Sequence, residues 1–300
     1  MSVATSVRAD GDTRSVALVF GATGQVGRFL LPLLQRANYR IVAISRADQS
    51  PDSGSSGIEW LRGDLHATMP EYLPQANVIF SLGPLDAFAR WLNQANLEGA
   101  PHIVAFSSMS ADSKIDSPDP DERAISARLR AAERDIAEIA SKRGGRWTIL
   151  RPTLIYGTGQ DHSFTPIVRF AMTWHVFPIP LAANGLRQPV HSQDLANACM
   201  ACLNNPNSHA QIYSLGGGER LSARAMFQRI RRSLSHRTIA VPLPVFLLRA
   251  AMRMLRRISG WRHLRVAMLD RLDVDLIADN SAAGADLGWR PRSFCPETTC

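Results

Sequence analysis

The apolar run Val16–Phe20 (VALVF) leads straight into Gly21-Ala22-Thr23-Gly24-Gln25-Val26-Gly27, and a helical pattern follows. Three glycines at three-residue spacing in that context have separate uses. Gly21 permits a tight turn off a strand, Gly24 lets the main chain approach a ligand with no side chain between, and Gly27 lets the next helix pack close to a sheet. The helix then points its first free N–H groups and the positive end of its dipole into the turn. A pyrophosphate suits that arrangement, so Gly21, Thr23, Gly24, Gln25, Val26 and Gly27 are expected to cradle a dinucleotide. Beyond the second apolar run stands Ser45-Arg46. An acidic residue there would accept from a ribose 2′-hydroxyl and select NAD. Arg46 suits a 2′-phosphate instead, so NADP is expected ahead of NAD, and Asp48 keeps the ribose reading open.

Such a turn needs a sheet behind it. Short apolar runs recur at Ile41–Ile44, Ile58–Leu61, Val78–Leu82, Ile103–Phe106 and Trp147–Leu150, and helical patterns lie between them at Phe29–Ala37, Ala87–Leu97 and Glu122–Ala140. Strands alternating with helices predict βαβ units and a doubly wound parallel α/β sheet of Rossmann type. Residues 1–14 are expected to form a disordered lead-in and 15–160 the dinucleotide-binding domain. Residues 161–300 are expected to form a small substrate-binding lobe interleaved with the last sheet crossovers. In that lobe helices are predicted at Phe164–Trp174, Ser192–Leu203 and Ser222–Leu234, with extended pieces at Gln188–His191 and Ile212–Leu215. Prolines 178, 180 and 189 interrupt it.

The 300 residues, 45% hydrophobic and 20% charged, are ordinary for a water-soluble globular chain, and no apolar run is long enough to span a bilayer. Without a signal-like N-terminus, and with cysteines at only 199, 202, 295 and 300, a cytoplasmic, reducing location is expected and no disulfide framework. Cys199 and Cys202 have C-x-x-C spacing but no second ligand pair, so they read as structural and no metal is expected. The net charge is +8, with arginines crowded into 224–265. No aromatic-interleaved basic stretch accompanies them, so the partner expected is an anionic small molecule and not nucleic acid.

Motifs in order along most of the chain carry a resemblance. Beyond Gly21–Gly27 come Gly63-Asp64-Leu65, Ser81-Leu82-Gly83, Phe106-Ser107-Ser108, Arg151-Pro152-Thr153-Leu154-Ile155-Tyr156-Gly157, Pro189–Ala196 (PVHSQDLA) and Leu287–Pro291 (LGWRP). On these the chain resembles the extended and atypical short-chain dehydrogenase/reductase family, the NAD-dependent epimerase/dehydratase group. The resemblance implies an NAD(P)-binding oxidoreductase or epimerase. It places Asp64 and Leu65 at the adenine, Leu82, Gly83 and Pro152 along the cofactor, and Ser107, Ser108 and Thr153 at the substrate. It also implies that Arg187 holds a substrate phosphate, as in members acting on nucleotide-linked sugars.

One part of the family pattern is missing. With Glu133 taken as the glutamate of the family's K-x-x-x-E, Leu129 stands at the lysine position and Ile125 at the tyrosine position. There is no tyrosine between Tyr72 and Tyr156, and Lys114 lies upstream of the helix. The family's tyrosine exchanges a proton at the substrate oxygen and its lysine lowers that tyrosine's pKa; isoleucine does neither. Ser108 is expected to orient the substrate, and the proton must come from Tyr156, water or the substrate itself. The same gap supports a second reading, a catalytically silent NAD(P)-binding sensor or an assembly or scaffold protein.

Residues 242–269 (PLPVFLLRAAMRMLRRISGWRHLRVAML) place arginines 249, 253, 256 and 257 at helical spacing. The stretch reads as a peripheral contact with an anionic membrane, a frame for an anionic substrate, or a solvated arginine face. A homodimer completes the partners expected.

Overall fold

The computed structural model describes residues 13–47, 57–161, 164–255 and 271–296. Residues 1–12 of the expected lead-in over 1–14, Asp48 and the arginine-rich stretch 256–269 lie outside the described residues.

Five apolar runs become buried parallel strands: β1 (Val16–Phe20), β2 (Arg40–Ser45), β4 (Val78–Ser81), β5 (His102–Phe106) and β6 (Trp147–Pro152). With β3 (Ile58–Arg62) and β11 (Gln211–Leu215) they form one seven-stranded parallel sheet in the order β11-β6-β5-β4-β1-β2-β3. Continuous Val, Ile, Leu and Phe suit strands covered on both faces. The chain runs from β1 outward through β2 and β3, then crosses back to start β4 on the other side of β1. That reversal opens a crevice at the carboxyl ends of β1 and β4, which is where ligands settle in sheets of this kind.

Helices cover both faces. On one, α1 (Gly27–Arg36) and α6 (Ser192–Asn204) press Leu30, Leu34, Leu195 and Cys199 against Val19, Phe80 and Leu150. On the other, α2 (Leu85–Gln94) and α4 (Pro120–Lys142) press Phe88, Leu92 and Ile136 against Leu18, Phe20 and Ile79. The rings of Phe88 and Trp91 meet Phe20 at centroid distances of 5.3 and 4.6 Å. Helix α4 begins two residues before the expected Glu122 because Asp119 caps it, accepting from the Asp121 N–H, and Pro120 opens its first turn.

The remainder forms a lobe with its own core of Tyr156, Phe164, Phe177, Phe227 and Phe294. It contains β7 (Ile155–Tyr156), α5 (Thr165–Trp174), β8 (Val176–Pro180), β9 (Leu186–Arg187), β10 (Val190–His191), β12 (Leu221–Ser222), α7 (Ala223–Arg232), β13 (Ile239–Leu243) and α8 (Val245–Leu255). Helix α9 (Ser281–Leu287) packs near β11. Two differences from the sequence reading have simple causes. The extended piece expected at Ile212–Leu215 is not a lobe element; it pairs with β6 as the outermost strand of the main sheet, with Ile212 exposed. The prolines that promised irregular structure at 178 and 180 sit instead in a strand paired with β13. Leu181 donates to the Leu243 carbonyl, so by alternation the missing N–H groups of Pro178 and Pro180 both face away from the partner strand.

Candidate active site

The cofactor side of the cleft is built from main chain. Gly21 adopts φ +76°, and a Cβ there would come within 3.0 Å of the Leu82 carbonyl carbon at the exit of β4. The Leu82 N–H donates to the Phe20 carbonyl, so the turn and the β4 exit are one unit. Within the turn the Gly24 N–H donates to Gly21 O at 2.9 Å. A Cβ on Gly27 would fall 2.1 Å from the Ala22 carbonyl oxygen, so no other residue lets α1 start there. Among the described residues helix α1 has no side-chain cap and no acidic residue in its first turn, which suits its amide end to an anion.

Around this turn, Thr23 is exposed, Val26 is buried, and Gln25 Oε1 accepts from Thr158 Oγ1 at 3.2 Å. Beside it, a Cβ on Gly83 would meet nothing within 4 Å, so the space past the β4 exit is open. Ser45 closes β2 in the core and Arg46 is exposed immediately after it. The Ser45 carbonyl accepts from the Gly63 N–H, which brings the Gly63-Asp64-Leu65 turn alongside. Asp64 shapes that turn by accepting from the His66 N–H at 2.9 Å, and Leu65 packs on the apolar core below. A bare-backbone cradle, a free helix terminus and a cationic side chain at the end of β2 fit a nicotinamide dinucleotide.

At the carboxyl ends of β5 and β6 a buried ion pair organises the strand ends. Glu133 of α4, 3% exposed, takes two hydrogen bonds from Arg151 of β6, at 2.8 and 2.5 Å. Ser107 donates to the same carboxylate and Asp112 takes the other terminus of Arg151. The Ser107 hydroxyl is thus tied to the buried ion pair. Ser108 accepts from the Ser110 N–H, starting the short helix α3 (Ser110–Ser113), and Pro152 O accepts from the Met109 N–H. The Thr153 hydroxyl donates to the Gln188 carbonyl.

Two other expected groups sit elsewhere. The Tyr156 phenol lies in the lobe core, its ring edge-on to His191 and Phe294, its hydroxyl between the Cys295 N–H and the Ser293 carbonyl. Burial pushes its pKa up, so it is poorly placed to trade protons in the cleft. The Arg187 guanidinium is buried and donates to the carbonyls of Leu186, Arg271 and Val274, binding two lobe segments to each other and not waiting for a phosphate. His191 Nδ1 accepts from the Gln193 N–H as the cap of α6, and Asp194 pairs with Arg292. Cys199 and Cys202 are core residues, and burial pushes the Cys202 thiol up to about 12. A hollow of about 450 Å³ between α2 and α4, walled by Arg90, Asp135, Glu138 and Lys142, contains none of the residues of the cleft.

The sequence reading missed a cluster at the head of α4. Lys114 folds back from α3 so that its Nζ lies 3.0 Å from Glu122 Oε1. Ser117 Oγ donates to Glu122 Oε2, and Arg271 reaches in from the lobe, 3.6 Å from Glu122 and hydrogen-bonded to the Ser113 carbonyl. Glu122 precedes Ile125 by one helical turn, on the face that continues to Leu129 and Glu133. The only advance sign was that Lys114 is one of just two lysines in the chain.

Comparison with known proteins agrees with this architecture. Residues 21–206 match the family model described as NAD(P)H-binding. A UDP-glucose 4-epimerase of Vibrio cholerae is 23% identical over 160 residues, 53% of this chain and 46% of that protein. The NADH dehydrogenase [ubiquinone] 1 alpha subcomplex subunit 9, mitochondrial, of Dictyostelium discoideum is 25% identical over 229 residues, 69% of this chain and 60% of that one. The chain thus spans about half to three-fifths of the length of these relatives. Among solved structures, MoeE5 in complex with UDP-glucuronic acid and NAD superposes with TM-score 0.67 at 19% identity, covering 93% of this chain and 95% of that one, and so shares the fold.

Glu122 gives a testable pH dependence. Burial pushes its carboxyl up, but hydrogen bonds from Lys114 and Ser117 and the charges of Lys114 and Arg271 outweigh that and hold it below its ordinary 4.5. A depressed carboxyl contributes stability above the unfolded value and loses it as pH falls through the folded one. Urea midpoints of the wild type should therefore exceed those of Glu122→Gln at about pH 7, and the two curves should converge in acid below about 4.5. Curves that stay parallel would show that the carboxylate contributes nothing.

Proposed function

Because the chain belongs to the NAD(P)H-binding family, we propose that it is an NAD(P)-dependent oxidoreductase or epimerase-like enzyme that acts on an anionic small molecule, with a nucleotide-linked sugar the leading class, and that works without a Tyr-x-x-x-Lys pair. The observation that carries the reading is the Lys114–Glu122 pair, a protonatable couple at the head of α4, one turn from the position where Ile125 replaces the family's tyrosine.

The dinucleotide, when bound, supplies hydride exchange. Everything else falls to the chain. Gly21, Gly24 and Gly27 accept the pyrophosphate on bare backbone, Asp64 and Leu65 border the adenine, and Leu82, Gly83 and Pro152 border the rest of the cleft. Arg46 selects NADP by pairing with the 2′-phosphate. Glu122 uses one of the three donors of Lys114 to hold the ammonium in place. The remaining donors meet the substrate oxygen, where Lys114 gives up a proton as hydride arrives and takes one back in the reverse direction. Arg271 places a further positive charge beside them, which supports an anionic substrate. The UDP-sugar named with MoeE5 points to the same class.

A catalytically silent reading has specific support too. Ile125 and Leu129 are partly buried, and the hydroxyls of Ser107, Ser108 and Thr153 all have partners inside the protein. One relative is named as a subunit of an NADH dehydrogenase, in keeping with an assembly or scaffold role.

Two variants test these assignments. Arg46→Ala should weaken NADP+ binding by roughly ten- to a hundredfold and leave NAD+ binding within about twofold, read by calorimetry; equal loss for both coenzymes would remove Arg46 from the selectivity. Lys114→Met should keep coenzyme affinity while lowering turnover of UDP-sugars by about 10²–10⁴-fold, read by coenzyme fluorescence. Coenzyme that binds to the wild type but never changes redox state with any anionic substrate would favour the silent reading.

A further inference from the structure

The whole positive excess of this protein resides in its second half. Residues 1–160 carry 17 Lys and Arg against 17 Asp and Glu, whereas residues 161–300 carry 17 Arg against 9 acids. Between Arg220 and Leu269 there are twelve arginines and no carboxylate. Neither the glycine cradle nor the Lys114–Glu122 pair needs such a field.

Among the described residues the lobe also shows an exposed apolar face. In α8, Leu248 is buried in the lobe core. Phe246, Leu247 and Met254 are 66%, 45% and 71% exposed, and Ala250 between them is exposed as well. At 100° per residue these four positions share about 100° of arc on the side roughly opposite Leu248. A surface helix ordinarily turns its apolar stripe inward and its polar stripe outward; here the outward stripe is apolar. Leu181, exposed and hydrogen-bonded through its N–H to the Leu243 carbonyl, adds to the patch where the chain enters α8. Arg232 and Arg237 are exposed on the same lobe, the latter two residues before the exposed Ile239 on β13.

We propose that the outer face of α8, with Leu181 beside it, docks on an anionic membrane surface. Large exposed apolar side chains on an arginine-rich lobe match the boundary between lipid tails and acidic headgroups, where each arginine near the surface adds attraction. A second copy of the chain would bring two cationic lobes together. Nucleic acid would satisfy the arginines and leave Phe246, Leu247 and Met254 in water. The contact is peripheral: among the described residues no helix is long and apolar enough to cross a membrane.

Sedimentation of the full chain with vesicles tests the proposal. It should co-sediment with phosphatidylcholine vesicles containing about one-third phosphatidylglycerol, far less with phosphatidylcholine alone, and less again in ~0.5 M salt. The variant Phe246→Ser/Leu247→Ser/Met254→Ser should bind roughly tenfold more weakly, with unchanged circular dichroism and coenzyme binding. A Phe246→Trp variant, whose added fluorescence brominated lipids should quench, reads insertion without removing apolar surface. No sedimentation with anionic vesicles at low salt would overturn the proposal. So would a triple variant that binds as well as wild type, which would leave a charge-only contact, or a dimer that the triple variant dissociates while neither form binds vesicles, which would make the face a self-interface.

Discussion

The approach of α1 to β1 rests on one missing atom. A Cβ on Gly27 would strike the Ala22 carbonyl oxygen at 2.1 Å, so any other residue there would push the helix away from the strand. With Gly27 in place, the helix dipole points back into the turn and Val26, Leu30 and Leu34 close the core over β1. Gly21 imposes a second close approach, seating the turn against the exit of β4, the strand on the far side of the topological reversal. The cradle and the crevice are consequences of the same two contacts.

A second constraint fixes the other wall. The Glu133–Arg151 pair joins the middle of α4 to the end of β6 below the surface, where an unpaired charge would be costly. Each member therefore requires the other, and Ser107 and Asp112 satisfy what remains. The pair registers α4 against the sheet and so decides which side chains one and two turns earlier reach the mouth. In this chain those are Leu129 and Ile125, and a turn earlier still stands Glu122, paired with Lys114. The lobe joins the same network by Arg271, whose carbonyl in turn holds Arg187.

Much of the dinucleotide-binding half was legible because its signals are local. Continuous apolar runs mark strands covered on both faces, and the Gly21, Gly24, Gly27 spacing has a meaning only between a strand and a helix. What escaped depends on contacts between residues far apart in the chain. Arg187 reads as a free guanidinium until residues 271–274 fold over it. Tyr156 reads as a candidate acid until Ser293–Cys295 enclose its hydroxyl. Lys114 looked remote from α4 because the reversal through α3 that returns it to Glu122 has no sequence signature. The proline-bearing strand β8 was obscured because proline is tolerated only where the missing N–H faces outward, and the identity of the paired edge is a tertiary fact.

The proposed seat of the pyridine dinucleotide is the bare backbone at Gly24. That residue has room to test it. A Cβ there would meet only Gly21 O, at 3.1 Å, so Gly24→Ala should fold while placing a methyl group where the phosphates must come. Calorimetric titration of both proteins with NADPH and NADH is the direct measurement. Wild type should bind in roughly the micromolar range and the folded variant at least about tenfold more weakly. A folded wild-type chain that gives no heat with either coenzyme, or a Gly24→Ala chain that binds as tightly as wild type, would contradict it.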